Sequence, residues 1–384
     1  MTEAPPVEAP SKPIARVPYL DYGRFAAAAL VAMYHYNLQD PEPRRGFLNY
    51  GYLGVQFFFL ISGFVISRSV KGPSLSTFLK KRFIRLYPSL FFAVLLLGAV
   101  KLVLHGYGER SVTPLDIVGN LTGISLTPLA RFLHCDNYVI QPIWTLPYEI
   151  YFYLLLGIVS QIPNGQRWFM FSWIIFSFFE SFRPGTVTSF EHALRCTTMY
   201  EVAPYFAGGY LLSVLYDRAA FGISGVFMLI LCFTTSVRNS CDLPGYMLDW
   251  RAPWIPLPPV AIVPASIVVL FWLFFAWLVY SRKFSRPPTP RVLRLELALG
   301  AASYPMYLFH PLFNPVIKRL SSLLHSKYLA MSLCCLFTIL LAHLVVNFLE
   351  RPFQRLLSTW LLGRRQDIRS AEVRAGDSQV RGPV

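Results

Sequence analysis

Apolar runs of about 20 residues recur along the whole chain, separated by short polar or basic stretches. Runs of that length suit helices crossing a hydrocarbon layer roughly 30 Å thick. They fall at about 19–38, 48–69, 86–105, 142–161, 167–183, 200–216, 220–237, 259–280, 297–317 and 328–349. The pattern predicts an all-α, polytopic transmembrane helical bundle of about ten spans. The Pro-rich stretch over residues 1–17 and the polar, basic stretch over 353–384 show no such runs. They read as a disordered cytoplasmic N-tail and a basic cytoplasmic C-tail, the latter disordered from Gly363 onward, flanking a membrane domain over 18–352.

Composition supports this reading. Hydrophobic residues make up 54% of the 384 and charged residues 14%, against about 25% charged in an ordinary soluble domain. The net charge of +15 would suggest nucleic acid in a soluble protein. Here it sets topology and meets anionic headgroups. With the N-terminus in the cytoplasm, the cytoplasmic side gathers the 68–85 loop, Arg167, Arg218, the 282–294 loop and the C-terminal tail, and so most of the 35 Lys and Arg residues. Both termini are therefore expected to be cytoplasmic, with the first span as insertion signal. The six cysteines show no CxxC and no Cys/His metal spacing, and no metal site is expected. Cys135 and Cys241 fall in loops assigned to the outer side, where a disulfide is permitted and its formation stays open.

Ionisable side chains inside these runs are where chemistry is expected, since burying them in a membrane is costly. Arg24 opens the run AAAALVAM and His35 closes it. Eleven residues are close to three turns, so both share a helix face, about 16 Å apart along the axis. The second run, GYLGVQFFFLISGF, carries Gln56 and Ser62; its glycines suit close helix packing. Arg82 and Arg85 lie in a basic segment, SLSTFLKKRFIRLYP, read as an inner-surface helix leading into the third span. An RxxR pair on one helix side suits phosphate oxygens as well as anionic lipid. Glu149 is the one acid in PIWTLPYEIYFYLLL, beside Trp144 and Thr145, and His310 sits in SYPMYLFHPLF. Counting along the spans places His35, Gln56, Glu149 and His310 in the outer half of the bundle and the three arginines at its inner side. A histidine suits removal of a hydroxyl proton near neutral pH, and a carboxylate such as Glu149 could orient it.

These blocks resemble the acyltransferase-3 family of bacterial integral-membrane O-acyltransferases. The likeness rests on R-x10-H in the first span, GVQFFFLISGF, RFIRLYP, WTLPYEIYFY and SYPMYLFHPLF, in that order across about residues 18–352. The resemblance implies transfer of an acyl group, most often acetyl, from acetyl-CoA to a hydroxyl of a saccharide or glycoconjugate such as an O-antigen or exopolysaccharide. It implies Arg24 and His35 as the essential pair, Arg82 and Arg85 as donor contacts, and a bacterial inner-membrane location. No permanently bound cofactor is implied; acyl-CoA enters as a substrate on the cytoplasmic side. Two blocks depart from the family pattern. Gln56 stands where an acid is common, which removes any role needing a carboxylate there, and a proline separates Thr145 from Glu149. Many relatives carry a fused esterase-like domain; none follows here, so direct transfer to the acceptor is expected. The oxyanion donor, among Trp144, Thr145 and Gln56, and the choice between direct attack and an acyl-enzyme stay open.

A transporter or flippase of a glycoconjugate is the rival reading, because polar residues within about ten spans suit it equally. Against it stand the ordered blocks and the absence of a visible inverted repeat. A catalytically dead membrane sensor is a third reading, opposed by the presence of Arg24, His35 and Glu149 together. Acceptor specificity is expected to reside in the loops at 106–141 and 237–258.

Overall fold

The computed structural model describes residues 17, 19–39, 47–104, 112–126, 129–135, 137–183, 198–218, 222–248, 257–281 and 288–363. Its regular elements are all helical among the described residues. The first six helices of eight residues or more are α1 (Leu20–Asn37), α2 (Gly54–Ser69), α3 (Leu75–Val103), α4 (Pro114–Thr122), α5 (Leu146–Val159) and α6 (Gly165–Phe182). They are followed by α7 (Ala203–Arg218), α8 (Ile223–Leu248), α9 (Leu257–Ser281), α10 (Pro290–Phe309), α11 (Asn314–Leu324), α12 (Lys327–Val345) and α13 (Arg351–Leu362). Short 3₁₀ turns lead into α2 (Phe47–Leu53) and α5 (Gln141–Thr145) and join α10 to α11 (His310–Phe313).

Every apolar run contains a helix. Six helical stretches among the described residues are long and apolar enough to cross a membrane: Phe47–Ser69, Leu75–Val103, Gln141–Val159, Ile223–Cys241, Ile262–Ser281 and Lys327–Leu362. The remaining runs form α1, α6, α7 and α10, which are shorter or carry more polar side chains.

Two boundaries differ from those expected. The third span does not begin at 86 after a separate surface helix. Instead α3 is continuous from Leu75, its N-terminus capped by Ser74, whose hydroxyl accepts from the Thr77 amide at 3.3 Å. Pro88 lies inside the helix and removes one amide donor without ending it. Arg82 and Arg85 consequently sit in its second and third turns, within the bundle. At the other end, α12 passes through a π-helical turn, Val346–Glu350, into α13. The helical column thus continues beyond residue 352 to Leu362, into what reads from sequence as the start of the basic C-terminal tail.

Helix α1 is enclosed. Ala27, Ala28, Val31 and Ala32 are at most 1% exposed, and α1 packs chiefly on α10 and α2. Small residues make this possible, because backbones can approach where no side chain intervenes. A Cβ on Gly54 would fall 2.6 Å from the Ala27 carbonyl oxygen, and one on Gly300 of α10 would fall 2.5 Å from the Asp21 carboxyl carbon. The most extensive contact joins α2 to α7, at Gly63 and Gly209. There an added Cβ would lie 2.2 Å from the Phe206 carbonyl oxygen or 2.1 Å from that of Leu60.

The segment between α3 and α5 folds back around α4. Thr113 and Asp116 form a capping box, and the buried Asn120 amide donates to the Asp116 and Asn137 carbonyls at 2.7 and 2.9 Å. Cys135 is a buried thiol packed on Gly119, and Cys135 and Cys241 are both free cysteines in this structure.

Candidate active site

Two polar centres lie along one face of α1. The first surrounds Arg24. It is a cavity of about 70 Å³ lined by the sequence-selected residues Arg24, Ser62, Arg82, Arg85, Thr145 and Glu149. Helices α1, α2, α3 and α5 and the 3₁₀ turn before α5 contribute these side chains, and α10 closes the space with Ser303, Tyr304 and Tyr307. The lining thus carries three guanidinium groups and one carboxylate, with the Asp21 and Glu350 carboxylates behind Arg24 and Arg85, and its planar cationic forks suit an anion.

Each charge in this centre is held by its neighbours. Arg24 pairs with Asp21 at 3.3 Å on α1 and also feels the charges of Arg85 and Glu149. Arg82 donates to Ser69, and its guanidinium lies over the rings of Phe78 and Tyr153 at 5.4 and 5.6 Å. Its Nε–H is buried without a protein partner. Glu149 Oε1 accepts from Ser62 Oγ at 3.3 Å and from the Tyr153 hydroxyl. Arg85 lies within the electrostatic reach of Arg24, Arg82 and the buried Glu350; Glu350 accepts from Ser89 and, at 2.8 Å, from Gln354.

The second centre is a pair of imidazoles. His35, near the end of α1, places Nδ1 3.1 Å from Nε2 of His310, which is fully buried. The ring centroids are 4.8 Å apart. His35 Nδ1 also lies 3.0 Å from the Val31 carbonyl oxygen, and His310 Nδ1 lies 2.8 Å from that of Tyr307. Tyr36 supports the pair from beneath. Its hydroxyl meets Thr338 Oγ1 at 2.6 Å and the His310 carbonyl at 3.3 Å.

Tyr307 separates the two centres. Its hydroxyl lies 3.0 Å from Thr145 Oγ1 and donates to the Pro142 carbonyl at 3.2 Å. It lines the Arg24 cavity on one side, and its ring centroid is 6.1 Å from that of His310 on the other.

The expected residues are thus sorted differently from the depth estimate. Glu149 lies with the arginines rather than beside His35, because Ser62 and Tyr153 both donate to it and three cations surround it. The side chain that meets His35 is His310. Gln56 is buried on α2 with its Oε1 lacking a protein partner, and lies outside the cavity lining. Trp144 packs edge-on against Tyr148 at 5.9 Å, also outside it. Tyr153, Tyr304, Tyr307, Tyr36 and Thr338 were not singled out from sequence. Helical spacing could have found two of them: Tyr153 follows Glu149 by four residues, and Tyr307 precedes His310 by three. A larger hollow of about 820 Å³ between α7, α8 and α9, lined by residues such as Leu212, Trp272 and Tyr280, contains none of the selected side chains.

Residues 17–347 match the acyltransferase-3 family, described as an acyltransferase domain. The chain belongs to the acyltransferase-3 family. Among curated proteins, an O-acetyl transferase of Shigella phage Sf6 is 30% identical over 157 residues, covering 38% of this chain and 47% of the phage protein. Nodulation protein 10 of Rhizobium leguminosarum bv. viciae is 24% identical over 284 residues, covering 67% of this chain and 72% of the relative. The match thus spans about half the length of the phage relative. No solved structure matches. Both centres of this acyltransferase-3 member fall within the matched residues.

Proposed function

We propose that this protein is a multi-pass inner-membrane O-acyltransferase that moves an acyl group, acetyl in the simplest case, from acyl-CoA to a hydroxyl of a saccharide or glycoconjugate. Family membership and the phage relative's name support acyl transfer. The observation that carries the reading is the polarity of α1, which presents an arginine-rich cavity at one end of a face and an imidazole pair at the other. A donor bound there needs an anionic end and an acyl end separated by about 16 Å. Acyl-CoA has that shape, with phosphates at one end of an extended arm and the thioester at the other. Its phosphates enter from the cytosolic side and meet Arg82, Arg85 and Arg24, while the thioester reaches His35.

At that position His35 removes the proton of the acceptor hydroxyl as the hydroxyl oxygen attacks the thioester carbonyl. The tetrahedral oxyanion collapses, the C–S bond breaks, and the imidazolium returns its proton to the departing thiolate. An ester and free CoA result. General base catalysis by a positioned histidine contributes about 10²- to 10⁴-fold.

The test is transfer of label from [acetyl-14C]-CoA in membranes containing this chain or its His35→Ala variant, with host glycoconjugates as acceptor. Label entering a saccharide fraction with the native chain alone is the expected result. Equal label with both proteins would remove His35 from the reaction.

A further inference from the structure

We infer that His310 is a positioning residue that fixes the proton on Nδ1 of His35, so that Nε2 of His35 is the basic nitrogen. The inference deepens the proposed function and rests on it only for its kinetic consequences. The sequence gives no acid this role once Glu149 is committed to the arginine cavity.

Two backbone carbonyls determine the proton positions. A carbonyl oxygen can only accept, and a neutral imidazole carries one donor and one acceptor nitrogen. His310 Nδ1, 2.8 Å from the Tyr307 oxygen, therefore holds a proton, which leaves its Nε2 as an acceptor. His35 Nδ1, 3.0 Å from the Val31 oxygen, likewise holds a proton and shares it with His310 Nε2 at 3.1 Å. The remaining lone pair of neutral His35 is on Nε2. Exchanging the protons of either ring would place a lone pair against a carbonyl oxygen, so each assignment supports the other.

The same geometry serves the charged form. When His35 Nε2 gains a proton, its Nδ1–H already points at two acceptors, Val31 O and His310 Nε2. A neutral imidazole thus takes the place that a carboxylate fills in the serine-hydrolase arrangement. His310 is in turn held from outside the ring. The Thr338 hydroxyl donates to the Cys334 carbonyl at 2.8 Å, so the Tyr36 hydroxyl shares its proton between Thr338 Oγ1 at 2.6 Å and the His310 carbonyl at 3.3 Å. Burial of His310 keeps water from replacing it as the acceptor.

Nitrogen-15 NMR of histidine-labelled protein in membranes reads the protons directly, and steady-state kinetics reads their use. In the native protein His35 is expected to show a protonated Nδ1 and an unprotonated Nε2. A protonated Nε2 in neutral His35 would overturn the inference whatever the reaction. His310→Phe keeps a ring but removes the acceptor. It should lower kcat about 10- to 150-fold, the range of one hydrogen bond to a charged group, with little change in KM for the donor. His310→Gln, which restores an accepting oxygen, should recover most of that loss. Equal kcat for the native chain and His310→Phe would also overturn the inference. So would equal loss in both variants when both fold to the native melting temperature. The expected proton positions with no transfer of any acyl group would uphold the assignment and overturn the functional reading alone.

Discussion

Tyr153 follows Glu149 by one helical turn and donates to the same carboxylate oxygen that accepts from Ser62. The ring of Tyr153 also lies beneath the Arg82 guanidinium. One side chain thus keeps the acid and a cation of the cavity apart while touching both. Removing its hydroxyl releases Glu149 towards the arginines, where it competes with an incoming anion. Tyr153→Phe is expected to raise KM for acyl-CoA, by at most about 10- to 150-fold, the range of one hydrogen bond to a charged group, while kcat changes less. Initial rates across donor concentrations measure this.

Arg82 holds an unpartnered, buried Nε–H at the cavity, a donor placed for a ligand oxygen. Arg82→Ala should raise KM for acyl-CoA by about 10- to 150-fold, as expected for a charge-assisted hydrogen bond. Arg82→Lys should recover only part of this. An ammonium restores the charge but not the planar fork or its stacking between Phe78 and Tyr153. Complete rescue by lysine would show that charge alone matters at this position.

Gly63 and Gly209 bring the α2 and α7 backbones together, and neither neighbour can yield, because each added Cβ would meet a carbonyl oxygen. Gly63→Ala should therefore force the helices apart and destabilise the protein by about 1–3 kcal/mol, the usual cost of overpacking. Gly222→Ala is the control, since its Cβ would meet nothing within 4 Å. Melting temperatures in detergent should fall for the first variant and stay level for the second.

Gly300 faces Asp21, the ion-pair partner of Arg24. Gly300→Ala is expected to turn the Asp21 carboxylate away and leave Arg24 to pair with Glu149. The predicted result is weaker donor binding, measured as a higher KM, with a smaller fall in melting temperature than Gly63→Ala produces. Asp21→Asn should show the same kinetic change without the steric one.

Hydropathy revealed a helix in every long run because burial in lipid or in a bundle demands apolar side chains at each turn. It misplaced the start of α3, where Lys80, Lys81, Arg82 and Arg85 read as a separate segment on the inner surface. The helix carries those arginines inward because Ser69, Tyr153, Glu149 and Glu350 compensate them, and such partners are distant in sequence. The pairing of histidines was the harder part to read. Depth along a span can be counted, and it put His35 and His310 at a similar level. The rotation of each helix about its axis, which decides whether they touch, depends on packing against α2, α10 and α12. Glu149 was misplaced in depth instead: it lies at the Arg24 end of the α1 face and not at the His35 end.

His35 and His310 are separated by 275 positions in the chain, and α1 reaches its buried setting largely through α10. A ribosome that has released α1 into the membrane has therefore made only half of the histidine pair. Until α10 emerges, Arg24 and His35 belong to a helix among the least apolar of the bundle, without the wall that later surrounds it. Competence for the reaction arrives only once α10 has been made, and nascent chains arrested before that point carry the basic cavity's first helix but no assembled site.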